Sequence, residues 1–458
     1  MNIAFDATAI LGPMSRNRGI GNYSLSQFTK MIEMDKDNNY FLINFFENIN
    51  LFDTGSYGNI HEFYFDCGKD KFLLNQPEYK EIIGDIIKKF IKEHQIDIYY
   101  ITSPFDGHIH PYEEDWFKGV KTVATVYDII PYVLKDTYLS DKNSYKWYMN
   151  LVDMLRWIDK LLVISQSVKH DLVNSLNFDG EKIDVIWGAV DDIYKEISIA
   201  TEDKKRIFTK FKIHSKYIMC TGGDDERKNL HGLIEAYSQM PQELISEYQL
   251  VIVCKLSNDS IERYTNLVKE RNLENRVILT NFVSQEELIV LYNLATVMAF
   301  PSKYEGFGLP VVESWACGTP VLTSNNSSLV EIAGDGAVIV NPYDTKDITR
   351  GLVEILTNTD LKDLLNKGKE RLKIFQWDIV AENAIKYINR LGESDARKVI
   401  EKKKIAYFSP LPPMQSGISD YSVDILNSLS EYFNIDVFID DAYKVSCVLN
   451  SNIDVYNH

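Results

Sequence analysis

Metal-ligand spacing is missing from this sequence. Its eight histidines form no H-x-x-x-H pattern, and its five cysteines (Cys67, Cys220, Cys254, Cys317, Cys447) are scattered, odd in number and without C-x-x-C spacing. Buried reduced thiols are expected, not a disulfide framework or a zinc site. No G-x-S-x-G elbow occurs, and no complete G-x-G-x-x-G follows the first strand, which leaves an NAD-dependent oxidoreductase a weak rival. Long apolar runs are lacking too. The most apolar stretch, Leu288 to Phe300, contains Asn293 and is too short to cross a bilayer. The opening MNIAFDATAI carries Asp6 within its apolar run and no basic start, so it does not read as a signal peptide. A cytoplasmic protein is expected, with peripheral membrane contact left open. Positive charge is in deficit: 49 Lys and Arg against 66 Asp and Glu give a net charge of −17. A phosphate backbone would be repelled, so no nucleic-acid partner is expected, although a local basic pocket is allowed.

What is present is a chain of 458 residues with 45% apolar content, enough for two globular cores. Short β-branched or aromatic runs alternate with amphipathic segments. Strands are predicted at Ile3–Phe5, Tyr40–Phe46, Ile98–Ile101, Lys121–Val126, Lys160–Ile164 and Lys182–Ile186. A second series begins near Tyr217 and includes Gln249–Cys254, Val277–Leu279, Val297–Phe300, Val321–Leu322 and Ala337–Val340. This alternation predicts an α/β fold: two Rossmann-like, doubly wound domains facing a cleft, with ligands bound outside the strand C-termini. The first spans 1–197 and the second 198–376, with the polar segment Lys195–Lys212 as the hinge candidate. A further helix covers 377–391, and the charged run 392–404 reads as a linker. The segment 405–458 then echoes the start of the chain. Gly417-Ile418-Ser419-Asp420-Tyr421-Ser422 parallels Gly19-Ile20-Gly21-Asn22-Tyr23-Ser24, in each case after a β run and before a helix. The economical reading is a duplicated module cut short, a third and truncated α/β fragment.

Four clusters carry chemistry. In EGFGLPVVESWACGTPVL, Glu305 and Glu313 stand eight residues apart, with Gly306, Gly308 and a helix-starting Pro310 between them. Both carboxylates are expected to face a ligand at the helix N-terminus, where the Phe307–Leu309 amides form an anion site. Phosphates for the amides and hydroxyls for the carboxylates together point to a nucleotide-sugar. Gly222 to Asn229 (GGDDERKN) supplies Arg227 and Lys228, suited to clamp a diphosphate. The loop Arg16-Asn17-Arg18-Gly19-Ile20-Gly21-Asn22 opens a helix on the opposite domain and is expected to approach a phosphate or an acceptor. Asp128, after the apolar strand ending in Tyr127, is expected to face the cleft and bind sugar hydroxyls or steer a proton.

Taken together, Pro301-Ser302 with Glu305–Leu322 resembles the signature of retaining glycosyltransferase family 4, whose fold is GT-B. Gly222–Leu230 resembles that family's phosphate loop, Val163–Ser167 its V-S-x-x-S segment, and Gly334–Asp344 its G-D-A-x-x-x-x-P-x-D run. The likeness covers residues 1 to about 391 and runs towards bacterial O-antigen and capsule mannosyltransferases. It implies an acceptor domain over 1–197, a donor domain over 198–376, and a helix at 377–391 that packs back on the first domain. The fragment 405–458 then resembles the start of a second N-terminal glycosyltransferase domain.

Carried over by position, Gly222, Arg227 and Lys228 hold the donor diphosphate. Glu305, Gly306, Phe307, Gly308 and Leu309 meet the sugar and phosphate, and Glu313 binds the ribose. Gly19 and Gly21 close over the donor from the other domain. Many members have His where this chain has Tyr127, and tyrosine does not hold a proton near neutral pH. The implied reaction is hexosyl transfer, with mannose from GDP-mannose as the best-fitting donor, onto an oligosaccharide or lipid-linked glycan. It proceeds with retention, without a metal and without a further cofactor. Glu305, Arg227, Lys228 and Asp128 are the catalytic candidates. Location at the inner face of the cell membrane and assembly with other glycan-synthesis proteins are compatible with this reading. The alternative is a catalytically weak nucleotide-sugar-binding or scaffolding module.

Overall fold

The computed structural model describes residues 1–13, 15–16, 19–52, 55–67, 74–107, 109, 111–396, 404–414, 417–430, 433–439, 445–447, 449–450 and 453–457. Two compact units emerge, Met1–Asn389 and Arg390–His458.

The first unit is built on two parallel sheets. One contains β1 (Asn2–Asp6), β2 (Asn39–Asn44), β3 (Ile60–Tyr64), β4 (Ile98–Ile101), β5 (Lys121–Val126), β6 (Lys160–Val163) and β7 (Ile183–Val185), in the order β3-β2-β1-β4-β5-β6-β7. The other contains β8 (Lys216–Thr221), β9 (Tyr248–Val253), β10 (Val277–Leu279), β11 (Val297–Phe300), β12 (Val321–Ser324) and β13 (Ala337–Val340), in the order β10-β9-β8-β11-β12-β13. Helices cover both faces, so central strands read as unbroken apolar runs. All four residues of β4 are buried, as are all six of β9. Each sheet reverses strand order beside its first strand, between β1 and β4 and between β8 and β11. A crevice opens at such a point.

Helix starts follow the local chemistry. Pro77 stands in the first turn of Pro77–Glu93. The Asp141 side chain accepts from the Asn143 and Ser144 amides to cap Lys142–Trp157. Ser284 and Glu287 form a reciprocal capping box on Gln285–Leu294.

Three expectations are corrected. The edge strand β3 was not anticipated; its sequence, IHEFY, mixes His and Glu into an apolar run because only part of an edge strand is buried. Most of the expected hinge Lys195–Lys212 is a helix, Thr201–Phe211, held by buried Ile207 and Phe211. The irregular crossing lies earlier, before Ala200. The helix expected at 377–391 runs from Trp377 to Ala396 and takes up the first residues of the expected linker; 397–403 lie outside the described residues. It touches the first sheet's layer: Tyr23 and Trp377 meet ring to ring at 5.0 Å, Lys30 pairs with Asp378 at 3.1 Å, and Asn38 donates to Asn389 at 3.0 Å. Among the thiols, Cys220, Cys254 and Cys317 are buried, whereas Cys67 and Cys447 are partly exposed. No helix of the described residues is long and apolar enough to cross a membrane.

The second unit has β14 (Lys404–Phe408), a helix at Gly417–Leu429, β15 (Asn434–Ile439) and β16 (Ile453–Asn457), in the parallel order β14-β15-β16. This repeats the first β-α-β-β of the chain down to its register. Asn2 pairs with Asn39 and Tyr40 with Ile60 in the first unit; Lys404 pairs with Asn434 and Ile435 with Ile453 in the second.

One buried carboxylate fastens the first sheet at its reversal point. Asp6, at the end of β1, accepts from the Thr8 amide at 2.8 Å and from the Thr102 amide and hydroxyl at 3.0 and 2.8 Å. Asp6→Ala strands these buried donors and is expected to cost roughly 2–4 kcal/mol. Urea unfolding checks this, and an unchanged midpoint would refute it.

Candidate functional site

β8 and β11 are neighbours, so the loops that leave their C-termini lie side by side. The Lys303 amide donates to the Arg227 carbonyl at 2.6 Å and joins them. Asn229, at φ 59°, turns the first loop into the helix Leu230–Ser238 while its amide group donates to the Pro301 carbonyl at 3.1 Å. Into this junction the second loop sends Glu305, only 6% exposed. Its Oε2 accepts from Arg227 Nη1 at 2.5 Å, and its Oε1 accepts from Lys228 Nζ at 2.7 Å and Ser302 Oγ at 2.6 Å. Burial pushes the carboxyl up, but Lys228, Arg227 and these hydrogen bonds outweigh it and hold the pKa below the usual carboxylate range. Arg227 is steadied further by the Tyr304 carbonyl at 2.9 Å and by Asp225 at 3.2 Å.

The other wall comes from the end of β5. Gly306 lies against it so closely that a Cβ would stand 2.6 Å from the Tyr127 carbonyl oxygen and 2.9 Å from Asp128 Cβ. Ser165 Oγ donates to the Gly306 carbonyl at 2.7 Å. Gly188 meets the Phe307 ring the same way; a Cβ there would lie 2.7 Å from ring carbons. Gly308, at φ +119°, aims the following helix, Leu309–Ala316, at this junction. Between the walls is a cavity of about 220 Å³ whose lining includes Gly19, Asp128, Lys228 and Glu305 through Leu309. Asp128 Oδ1 accepts from the Ile130 amide at 3.0 Å. Burial raises its pKa, opposed by that amide and by Arg227.

The domains also clasp outside the cavity. Glu331 accepts from the Gln166 and Ser167 amides at 3.1 and 2.9 Å, capping the helix Gln166–Leu176 from across the boundary. The Tyr304 hydroxyl reaches Asp171 at 2.8 Å, and Tyr138 donates to Asp225 at 2.5 Å.

Not every sequence candidate joins the cavity. Gly222 packs beneath the Lys228 stem, with a Cβ distance of 3.3 Å to Cδ. Gly21 serves packing within the first domain, where a Cβ would stand 2.6 Å from the Ser15 carbonyl. Asn17 and Arg18 lie outside the described residues, and Arg16 pairs with Glu47. Glu313 does not line the cavity beside Glu305: one helical turn carries it to Tyr292, whose hydroxyl donates to it at 2.7 Å. The Tyr127 hydroxyl is turned into the first domain, within 2.5 Å of Ser24 Oγ and donating to the Thr102 carbonyl at 3.2 Å. Sequence reasoning missed Gly188 and Tyr23 in the lining and Ser302 behind Glu305. Tyr23 and Ser302 sit inside motifs already singled out; Gly188 had no signal beyond being a glycine after a strand. Among the described residues, no group of three or more His, Cys, Asp or Glu side chains is arranged to hold a metal ion.

Two facing Rossmann-like halves with a buried carboxylate–cation cluster at the switch point define a GT-B architecture. Sucrose-phosphate synthase from Thermosynechococcus elongatus superposes with a TM-score of 0.66 at 17% identity, over 86% of this chain and 100% of that one, a likeness of fold. Residues 72–193 match the model described as Glycosyltransferase Family 4, and residues 202–371 that of Glycosyl transferases group 1. The chain belongs to these glycosyltransferases. The serotype-specific mannosyltransferase WbdA of Escherichia coli is 32% identical over 65% of this chain, which spans only 37% of WbdA's length. O-antigen chain mannosyltransferase B of the same species is 26% identical over 56% of this chain and 67% of its own.

Burial pushes the Glu313 carboxyl up to about 7, against the lowering hydrogen bonds of Tyr292 and Tyr194. A raised carboxyl favours folding in its protonated form. The contribution is complete below the unfolded value near 4.5 and lost as pH climbs through about 7. Between pH 5 and 8 this group is expected to remove on the order of 2 kcal/mol of stability. Urea unfolding of Glu313→Gln at both pH values should show a flatter dependence than wild type; parallel curves would contradict it.

Proposed function

We propose that residues 1–391 transfer mannose from GDP-mannose to a growing cell-surface polysaccharide or lipid-linked glycan, with retention at the anomeric carbon. The observation that carries this reading is the buried Glu305 carboxylate, ionised between Arg227 and Lys228 at the rim of the cavity opposite Asp128. Departure of a nucleoside diphosphate builds negative charge, and Arg227, Lys228 and the Phe307–Leu309 amides are the groups to stabilise it. When phosphate oxygens take over the two cations, Glu305 is released to accept hydroxyls of the donor sugar and to offset positive charge at its ring. Glu313, one turn along the helix and partly exposed, accepts ribose hydroxyls. Asp128 orients hydroxyls from the facing wall. Attack comes from the face the diphosphate leaves, and a departing phosphate oxygen takes the acceptor's proton. No metal is needed for these steps. The mannosyl assignment draws on the names of the relatives. The 220 Å³ cavity is below the roughly 300–1,000 Å³ of common ligand pockets, so the walls must part to admit a nucleotide-sugar.

Turnover of a nucleotide-sugar panel with a synthetic lipid-linked oligosaccharide checks the donor. GDP-mannose is expected to be consumed with an α-configured product; turnover with UDP-sugars alone would overturn the donor, and an inverted product the mechanism. Binding without transfer or hydrolysis would favour the alternative, a module that holds nucleotide-sugar for other glycan-synthesis proteins.

Glu305→Gln keeps the shape of the buried junction and removes its charge. It is expected to lower kcat at least 100-fold, about 2.7 kcal/mol of transition-state stabilisation. Circular dichroism guards against misfolding, and near-wild-type turnover would remove Glu305 from the chemistry.

A further inference from the structure

A second and larger space lies beside the cavity at Glu305. The helices Gln166–Leu176 and Ser327–Ala333, one from each Rossmann-like half, border an open groove of about 670 Å³, with Tyr304 between them. That is about three times the 220 Å³ of the cavity and falls within the roughly 300–1,000 Å³ of common ligand pockets. Helical spacing selects its walls: Gln166, His170 and Asn174 stand four apart on one helix, and Ser327, Val330 and Glu331 three or four apart on the other.

The charges that line this groove are already engaged. The Tyr304 hydroxyl lies 2.8 Å from both Asp171 oxygens, and both Glu331 oxygens accept from the Gln166 and Ser167 amides. Lys169 Nζ donates to the Ile183 carbonyl at 2.7 Å. An anion entering here meets two carboxylates, one of which occupies the helix N-terminus that would otherwise attract it. A cation meets Lys169 and two carboxyls that burial pushes up. What stays open is neutral: the exposed Gln166 and Asn174 carboxamides, with Val173 and the 45% exposed Val330 as apolar surface. Amide groups beside apolar patches suit a ligand of hydroxyls and C–H faces, which is a sugar.

The groove is also continuous with the reaction cavity. Ile164 and Glu305 line the cavity, Gln166 and Tyr304 the groove. Between Ile164 and Gln166 stands Ser165, whose Oγ donates to the Gly306 carbonyl at 2.7 Å. A sugar hydroxyl can bond either partner, so a glycan with its end in the cavity enters the groove by displacing that one hydrogen bond. We propose that the groove between the helices Gln166–Leu176 and Ser327–Ala333 binds an uncharged oligosaccharide, the body of the glycan whose end is extended at Glu305. The choice of a glycan rests on the transfer reaction proposed above. The groove residues themselves stand outside the donor chemistry.

Titration calorimetry of the 458-residue chain with linear mannotetraose tests this, with pyrophosphate as the charged control. Two variants probe the two walls: the double substitution Gln166→Ala with Asn174→Ala, and Val330→Arg, which fills the groove from the other side. All three positions are exposed, so folding is expected to be intact, and circular dichroism checks it. Each variant should weaken tetraose binding roughly fivefold or more, the loss of one or two hydrogen bonds or their equivalent. Hydrolysis of the nucleotide-sugar without acceptor should be unchanged in both, since none of these residues lines the cavity. Tetraose binding that is lost in the variants of a protein that turns over no nucleotide-sugar would remove the proposed transfer and leave the groove standing. Tetraose that fails to bind, or binds wild type and both variants equally, would overturn the groove. So would pyrophosphate binding that the Gln166→Ala, Asn174→Ala variant abolishes, which would make the ligand an anion.

Discussion

A carboxylate buried between two cations holds the cleft between the two Rossmann-like halves in its observed form. Glu305 alone would be costly to bury ionised, and Arg227 and Lys228 beside it would repel each other; together, with Asp225 against Arg227 as the second carboxylate and Ser302 completing the hydrogen bonds, the charges balance. The cluster also ties the loop after β8 to the loop after β11, which sets where Gly306 and Phe307 project. Those residues in turn meet the facing domain. The same electrostatic balance therefore fixes both the charge at the junction and the shape of the wall that carries it.

Contact between the walls depends on missing side-chain atoms. Gly306 and Gly188 let a backbone and a ring approach to distances no Cβ would permit. Around them, aromatic rings fill the base of the cleft: Phe307 and Trp187 both lie edge-on to Phe375, at 5.4 and 5.9 Å, and Tyr23 meets Trp377. The Tyr23 hydroxyl donates to the Trp187 carbonyl at 2.6 Å. Aromatic rings thus pack beside a cleft whose wall also carries the buried ion cluster.

Most of the sheet framework was legible because largely buried strands announce themselves as apolar runs; β4, β5, β11 and β13 fall where the sequence puts them, and so does the edge strand β10, whose three residues are all apolar although only Val277 is buried. The edge strand β3 did not, since His61 and Glu62 mask its pattern. At the site, Glu305, Arg227 and Lys228 were readable because each stands in a loop just after a strand, and topology alone brings such loops together. Glu313 was read as a second carboxylate in the same cavity. Its direction depends on helix phase and on Tyr292, a partner 21 residues away that spacing cannot reveal. Gly21 sits in a glycine motif beside Gly19, yet only Gly19 reaches the cavity, because the helix turns Gly21 inward. Tyr127 was readable as a departure from the family pattern; that Ser24 and Thr102 absorb its hydroxyl was not.

The chain passes between the two Rossmann-like halves twice, once through the irregular segment before Ala200 and once between Phe375 and Trp377. A hydrogen bond from the Val190 amide to the Phe375 carbonyl, 3.1 Å long, fastens the two passages to each other. A single flexible linker would leave the two halves free to tumble, whereas two connections held side by side remove much of that freedom. The walls that carry Glu305 and Asp128 are thus kept facing one another by the connections as well as by the contacts across the cleft.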